Sequence, residues 1–348
     1  MMTRTRYIAP VVAAALLLGV AAVHAKPPPD PARDPKAIQA AVDAAYAKYR
    51  GLQEGKNADY IPALAKVDSN VYGIALVTVD GKVYTAGDLT TQVSIQSISK
   101  VFTLAKVIEE QGPEMIQKTI GVDATGMRFN SIVAVEMAQK ALGGPEMNSL
   151  VNPGAIATTS MVRGSTRDEI WNSILGYYSD FAGRPLNVNQ EVFKSESETN
   201  QRNQAIGALM YAYGFIKDNP QRATDIYTEQ CSVNVNAKDL ATMAATLANG
   251  GKNPVTGKQV MKAQNVPKVL AVMATAGLYD DSGKWLYRTG LPGKSGVGGG
   301  IIAISPGKFG IAAISPPLDE AGNSVRAQNS IADISNALGG NPYSITPR

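Results

Sequence analysis

"QSISKVFTLAKVIEE", residues 96–110, decides how this chain is read. Ile98, Val101, Phe102, Leu104, Ala105, Val107 and Ile108 cover most of a helical circumference, and a helix apolar all round belongs in a core. Lys100 nevertheless stands in its first turn, three residues after Ser97, on a shared helix face where the two side chains can touch. The pattern S-x-x-K is short and common, and a lysine reaching solvent from a frayed end would also satisfy it. The chemical alternative is a lysine kept neutral by burial, which can then act as base for the serine hydroxyl. An adjacent second cation would push the amine the same way. The helix N-terminus adds backbone N–H groups suited to a developing oxyanion.

The rest of the sequence narrows the chemistry. Residues 1–25 join "MMTRTR" to the apolar run "IAPVVAAALLLGVAAV" and end in "VHA", the pattern of a secretory signal cut after Ala25. The run of 16 residues contains Pro10 and is shorter than a membrane span requires, so no stable membrane anchor is expected after cleavage. A periplasmic or secreted protein is the expectation. The only histidine, His24, lies in this segment, so the mature chain has none. That removes Ser-His-Asp and Cys-His mechanisms within one chain, and histidine-ligated metals. Losing Arg4 and Arg6 leaves 31 basic against 29 acidic residues, which gives no reason to expect a nucleic-acid partner. Cys231, the single cysteine, has no internal disulfide partner and is expected as a buried, inert thiol.

Residues 26–34, "KPPPDPARD", read as a disordered lead-in, and residues 35–348 as one domain. "PKAIQAAVDAAYAKYR" has helical spacing. "VYGIALVTVDGKVYTAG" (71–87) reads as a hairpin turning at Asp80-Gly81, and "GVGGGIIAISP" and "GIAAISPPL" around "GKF" as a second. "DLATMAATLANGG" reads as a helix with Asp239 as N-cap and Gly250-Gly251 as its stop. The expected class is α+β: an antiparallel sheet from both chain ends with flanking helices, and an inserted all-helical lobe over roughly 105–245. The site would lie in the cleft between them.

"LPGKSGVGGG" then supplies Lys294-Ser295-Gly296 at the start of a C-terminal strand. An S-x-x-K helix followed by a K-[ST]-G strand is the layout of serine β-lactamases and penicillin-binding proteins. A phosphate-loop reading fails, because Arg288 stands where its first glycine belongs, and G-x-G-x-x-G fails at Ile301. The glycines are expected instead to allow close approach of a ligand or another strand.

Ten stretches in order resemble the serine-dependent glutaminases of bacterial type, a family similar in fold to β-lactamases. They are "NADYIPALAKV", "IQSISKVF", "RFNSIV", "VNPGAI", "SESETNQRN", "YTEQCSV", "ATLANGGKNPVTGK", "GLYDDSG", "GLPGKSGVGGGI" and "SPPLDEAGNSV", over roughly residues 55–330. The resemblance implies Ser97 as nucleophile on the glutamine side-chain amide and Lys100 as its base. Tyr227 would relay protons, and Tyr279 would assist later transfers or steady the substrate. The N–H groups of Ser97 and Val297 would form the oxyanion hole, while Tyr60, Asn152, Glu196 and Asn203 would bind the amino-acid end. Glu196 suits the substrate ammonium, and Asn and Tyr side chains its carboxylate. The implied reaction releases ammonia, then uses water to hydrolyse a γ-glutamyl ester, and needs no metal or organic cofactor. A homodimer or homotetramer is also implied. The chain departs from the family pattern at Pro153, where alanine is usual, and at "PEMNS" (145–149), where "PRNP" is usual. Proline removes a backbone N–H beside Asn152. Two other readings stay open at this stage: a β-lactamase-like or penicillin-binding acyl enzyme, and a non-catalytic glutamine or glutamate binder.

Overall fold

The computed structural model describes residues 30–140 and 147–345. The signal segment, with its cleavage point after Ala25, lies outside the described residues, as do residues 145 and 146 of "PEMNS". Of the lead-in expected at 26–34, residues 30–34 are described. Pro31–Arg33 form a 3-10 turn capped by Asp30, and Ala32 is buried against the sheet's cluster of apolar residues, so this part is ordered.

Five strands make the main sheet: β1 (Gly73–Thr78), β2 (Val83–Gly87), and, after the short β3 (Val93–Ser94) and β4 (Asn234–Val235), β5 (Gly293–Gly296), β6 (Gly300–Ser305) and β7 (Phe309–Ile314). Their order is β2-β1-β7-β6-β5, antiparallel throughout, with the N-terminal and C-terminal hairpins joined at β1–β7. Asp80 and Gly81 form the first turn as expected, with Gly81 at φ +85°. The short strands β3 and β4 pair separately, Val93 with Val235.

Side chains alternate across β1. Ile74 and Leu76 join one apolar cluster with Ile38, Val42, Ile331 and Ile334 from the helices Pro35–Tyr49 and Val325–Ala337. Ala75 and Val77 join the larger cluster on the other face, with Leu240, Ala244 and Leu247. Burial on both faces explains why β1 reads "GIALVT", an almost unbroken apolar run, instead of an apolar–polar alternation. Between β3 and β4 every described regular element is helical. The helix Ala237–Ala248, which a lobe boundary near 245 would assign to the helical half, lies instead directly on β1, β6 and β7. Its N-cap is Asn236, not Asp239. Asp239 occupies the third helical position and returns a hydrogen bond to the Asn236 N–H, completing a capping box, and it is also paired with Arg184.

That helix approaches the sheet closely because β7 carries Gly310. A Cβ at Gly310 would collide with the backbone of Ala244 and Ala245. Among the described residues no helix is long and apolar enough to cross a membrane. Gly310→Ala is expected to lower stability by at least about 2 kcal/mol, since only backbone movement relieves the clash. Urea denaturation of the two proteins measures it.

Candidate active site

Ser97 sits in a tight 3-10 turn, Gln96–Ile98, that feeds the helix Ser99–Gln111. The expected helix is thus present, but its first residues are wound more tightly. Gln96, just before the serine, has φ +50°, a left-handed conformation costly for a side chain of that size. Its amide is held by donating to Ser94 Oγ at 3.2 Å and Glu196 Oε2 at 3.1 Å. The only other non-glycine residue with positive φ among the described residues is Tyr279, at +56°. Its hydroxyl lies beside the Ser97 side chain and within 3.4 Å of the Ser295 carbonyl.

The edge strand β5 runs past this turn at van der Waals range. A Cβ on Gly296 would lie 2.7 Å from the Ile95 carbonyl oxygen, and one on Gly298 would strike the Ser94 carbonyl. The glycine run therefore allows close approach, as the sequence suggested, and the approaching segment is the serine's own turn. Just before β5 the Pro292 carbonyl accepts from Ile304 across the ladder, whereas the Ser295 N–H of β5 points off the sheet edge to the Gly277 carbonyl. Val297 follows directly after β5, in the turn that leads to β6. The Ser97 N–H is in the first turn of its helix, where such groups lack intrahelical acceptors.

Lys100 is 1% exposed, and every residue from Ser99 to Ile108 is buried around it. Among the described residues no carboxylate forms an ion pair with it. Burial pulls its pKa down from 10.5 to about 8, against an opposing pull from Glu196. The side chain does not fray to solvent. Its Nζ donates to Asn152 Oδ1 at 2.6 Å, rather than to Ser97, and Tyr227 OH donates to the same oxygen at 3.1 Å. Asn152 Nδ2 in turn donates to Asn203 Oδ1 at 3.0 Å. Asn152 thus joins the amine to the tyrosine, a link between residues far apart in the sequence. Burial also holds the Tyr227 hydroxyl well above its ordinary pKa and moves Tyr279 up to about 12, so both remain protonated donors at neutral pH.

A cavity of about 160 Å³ opens onto Ser97. It is lined by Tyr60, Asn152, Glu196, Asn203, Tyr227 and Val297, which gathers every substrate-binding residue expected from sequence except Tyr279. Tyr60 stands at the rim, 55% exposed. Glu196 is deep, and desolvation raises its carboxyl pKa to about 7, with Gln96 and then Lys100 acting the other way. Tyr279 lies beside the serine, its ring tilted at 40° against that of Phe129 with the centres 4.8 Å apart, and Phe129 reaches the cavity itself. Cys231 is buried beside Ser99 and its thiol is pushed up to about 12, which leaves it unreactive.

Pro153 does not disturb this arrangement. The helix Asn152–Ser160 begins at Asn152, so Pro153 falls in the first turn, where its missing N–H would have no intrahelical acceptor. Asn152 is oriented by its own N–H, which donates to the Phe129 carbonyl at 2.7 Å. Two site residues were not singled out from sequence. Lys294 was read as a motif mark, yet its buried amine lies 4.1 Å from the Tyr279 ring centre and donates to the Ser295 carbonyl. Burial, and then Lys100, hold its pKa well below the ordinary lysine value. Gln96 carried no sequence signal for its strained backbone. Among the described residues no group of His, Cys, Asp and Glu is placed to hold a metal ion.

A glutaminase family model matches residues 55–343. A glutaminase of Colwellia psychrerythraea is 52% identical over 306 residues, 88% of this chain and 97% of the relative. Glutaminase 1 of Shigella flexneri is 49% identical, covering 89% of this chain and 99% of its own length. A solved structure described as a probable glutaminase superposes with a TM-score of 0.86 at 49% identity, over 89% of this chain and 99% of that one. The probable glutaminase from Bacillus subtilis, complexed with 6-diazo-5-oxo-L-norleucine, superposes at 0.77 with 26% identity, over 89% of this chain and 98% of its own. With its β-lactamase-like α+β fold and these relatives, the chain belongs to the glutaminase family of enzymes.

Proposed function

We propose that the family reaction, hydrolysis of L-glutamine to L-glutamate and ammonia, runs here through a γ-glutamyl ester on Ser97. The observation that carries it is Lys100: a fully buried amine without an ion-pair partner among the described residues, one turn from a serine that directly follows the left-handed Gln96. The diazo ligand of the Bacillus subtilis relative has an α-amino acid end and a ketone in place of the amide carbonyl, which fits a pocket that grips the amino acid and presents the side-chain carbonyl.

Ser97 Oγ attacks the side-chain carbonyl carbon while neutral Lys100 takes the hydroxyl proton. The negative oxygen is met by the N–H groups of Ser97 and Val297. Collapse breaks the C–N bond, and the leaving nitrogen takes a proton from Lys100, directly or through Asn152-linked Tyr227. Water then attacks the ester carbonyl, loses a proton to the same amine, and frees glutamate and the serine hydroxyl. Glu196 receives the substrate ammonium, and Tyr60, Asn152 and Asn203 hold the amino-acid end. Tyr279, between Ser97 and Lys294, steadies the serine oxygen. Export after cleavage at Ala25, and assembly as a homodimer or homotetramer, belong to the same proposal.

Ammonia release from L-glutamine is expected from protein beginning at Lys26, and Ser97→Ala is expected to lower kcat/KM by at least about 10⁴-fold. Acid quenching during turnover should leave one γ-glutamyl group on Ser97 in the mass spectrum. An unmodified serine in an active enzyme would exclude the ester, and a folded protein that releases no ammonia would turn attention to penicillin labelling and to glutamine binding without turnover.

The pH dependence follows from the two buried groups. Below about 7 Glu196 is protonated and cannot pair with the ammonium, and below about 8 Lys100 is charged and cannot accept a proton. Both effects depress activity at low pH, so kcat/KM should climb through this range and level off above about 8 in a steady-state profile. In a bacterial host expressing all 348 residues, Edman sequencing of the periplasmic protein should begin at Lys26, and sedimentation should give a dimer or tetramer.

A further inference from the structure

Among the described residues Arg326 is the only buried arginine, 1% exposed, and no carboxylate pairs with it. It is the second residue of the helix Val325–Ala337, at the end where the helix dipole disfavours a cation. A buried charge so placed needs strong acceptors. It has two, both backbone carbonyls: Nε donates to Leu52 at 2.9 Å and Nη2 to Ser69 at 3.0 Å, with the Tyr72 ring centre 5.7 Å from the guanidinium carbon. We propose that Arg326 is a positioning residue for the substrate cavity, because one guanidinium fastens both ends of the strap, residues 52–69, that carries part of the cavity wall. The proposal rests on the glutamine reading of the site and adds to it a residue outside the cavity.

The strap lies between the helix Pro35–Tyr49 and β1, and its only helix is the short Pro62–Ala65. Most of its residues are exposed. The buried ones, Ala58, Ile61 and Leu64, belong to neither large apolar cluster and pack with Val192, Val297 and Leu318 in a small separate one. Tyr60 and Ile61 thereby reach the cavity wall, and the strap lies against Val297. So small a cluster holds a long surface segment weakly. Polar contacts reinforce its middle: Lys56 and Leu318 exchange two backbone hydrogen bonds, at 3.0 and 2.8 Å, and the Ala63 N–H donates to Ser195 Oγ at 3.2 Å. Asn57 Nδ2, donating to the Val67 carbonyl at 2.7 Å, ties the strap only to itself. Arg326 holds the two ends together from the body of the fold. Without it the strap is seated in a smaller fraction of molecules, and apparent affinity falls by that fraction. Bound substrate selects the seated strap and turns over as before.

Arg326→Met keeps the length of the side chain and removes its donors. It should raise KM for L-glutamine about 10-fold with kcat nearly unchanged. Trypsin should cleave faster after Lys56 and Lys66, both exposed on the strap, and saturating L-glutamate should suppress that cleavage. Arg326→Lys, which keeps the charge without the planar fork, should fall between, and it reads the same split of KM from kcat if the methionine variant does not fold. A lower urea midpoint with KM unchanged would make Arg326 a structural clamp alone, and a fall in kcat at unchanged KM would place its effect outside the strap. Either outcome overturns the inference while leaving glutamine hydrolysis intact, as would a raised KM with the strap no more open to trypsin. Failure of the glutamine reading would show separately, as absent ammonia release by the wild-type protein.

Discussion

The constraint on which the rest of the structure depends is the burial of Lys100. An ammonium without a paired anion is expensive in a protein interior, and the usual outcome is loss of the proton. Here the helix Ser99–Gln111 is enclosed on all sides over its first ten residues. The nearest buried acid, Glu196, is bonded to Gln96 and is itself pushed toward its neutral form. A second buried amine, Lys294, stands across the Tyr279 ring, and burial and then Lys100 hold its pKa well below the ordinary lysine value. The site therefore accommodates two lysines by lowering the pKa of both, and a lysine that gives up its proton readily is what a serine with no histidine among the described residues requires.

Around this centre the fold fixes positions by close backbone contact. The serine's turn is pressed between the glycine edge of β5 and the start of the helix, and its strained neighbour Gln96 is held by two side-chain hydrogen bonds. Tyr279, the other left-handed residue, is clamped between Phe129 and Lys294. Strain at these two residues persists because the surrounding structure over-determines it, and the consequence is that Ser97 and the Tyr279 hydroxyl are held in fixed positions. The sheet supplies the rigid base: the two hairpins close at β1–β7, and the helix Ala237–Ala248 seats on the small side chains and Gly310 of the central strands.

Much of this was legible from local pattern. Alternating and continuous apolar runs with Asp80-Gly81 and "GKF" turns marked four of the five sheet strands, and S-x-x-K with K-S-G marked the chemistry. What local pattern left out were contacts between segments distant in sequence. Lys100 and Asn152 are 52 residues apart, and nothing in "VNPGAI" announces that its asparagine oxygen accepts from both an amine and a tyrosine. Asp239 looked like a cap because it is acidic and near a helix start; the true cap, Asn236, lies three residues earlier, and Asp239 answers it while pairing with Arg184. Pro153 looked disruptive because the helix boundary was not fixed; once the helix begins at Asn152, proline falls where its missing donor has no intrahelical acceptor. Lys294 was visible as a motif letter, but its place beside Tyr279 depends on the pairing of β5 with β6 and on the turn of Gly277 toward Ser295.

The central claim is that burial lowers the pKa of Lys100 far enough for its neutral form to be available to Ser97. Its most direct test is an NMR titration of protein carrying isotope-labelled lysine side chains, with the Lys100 signal assigned by its loss in Lys100→Met. The account predicts a midpoint of about 8; a midpoint near the ordinary 10.5 would contradict it, because the amine would then be charged whenever Ser97 has to lose its proton.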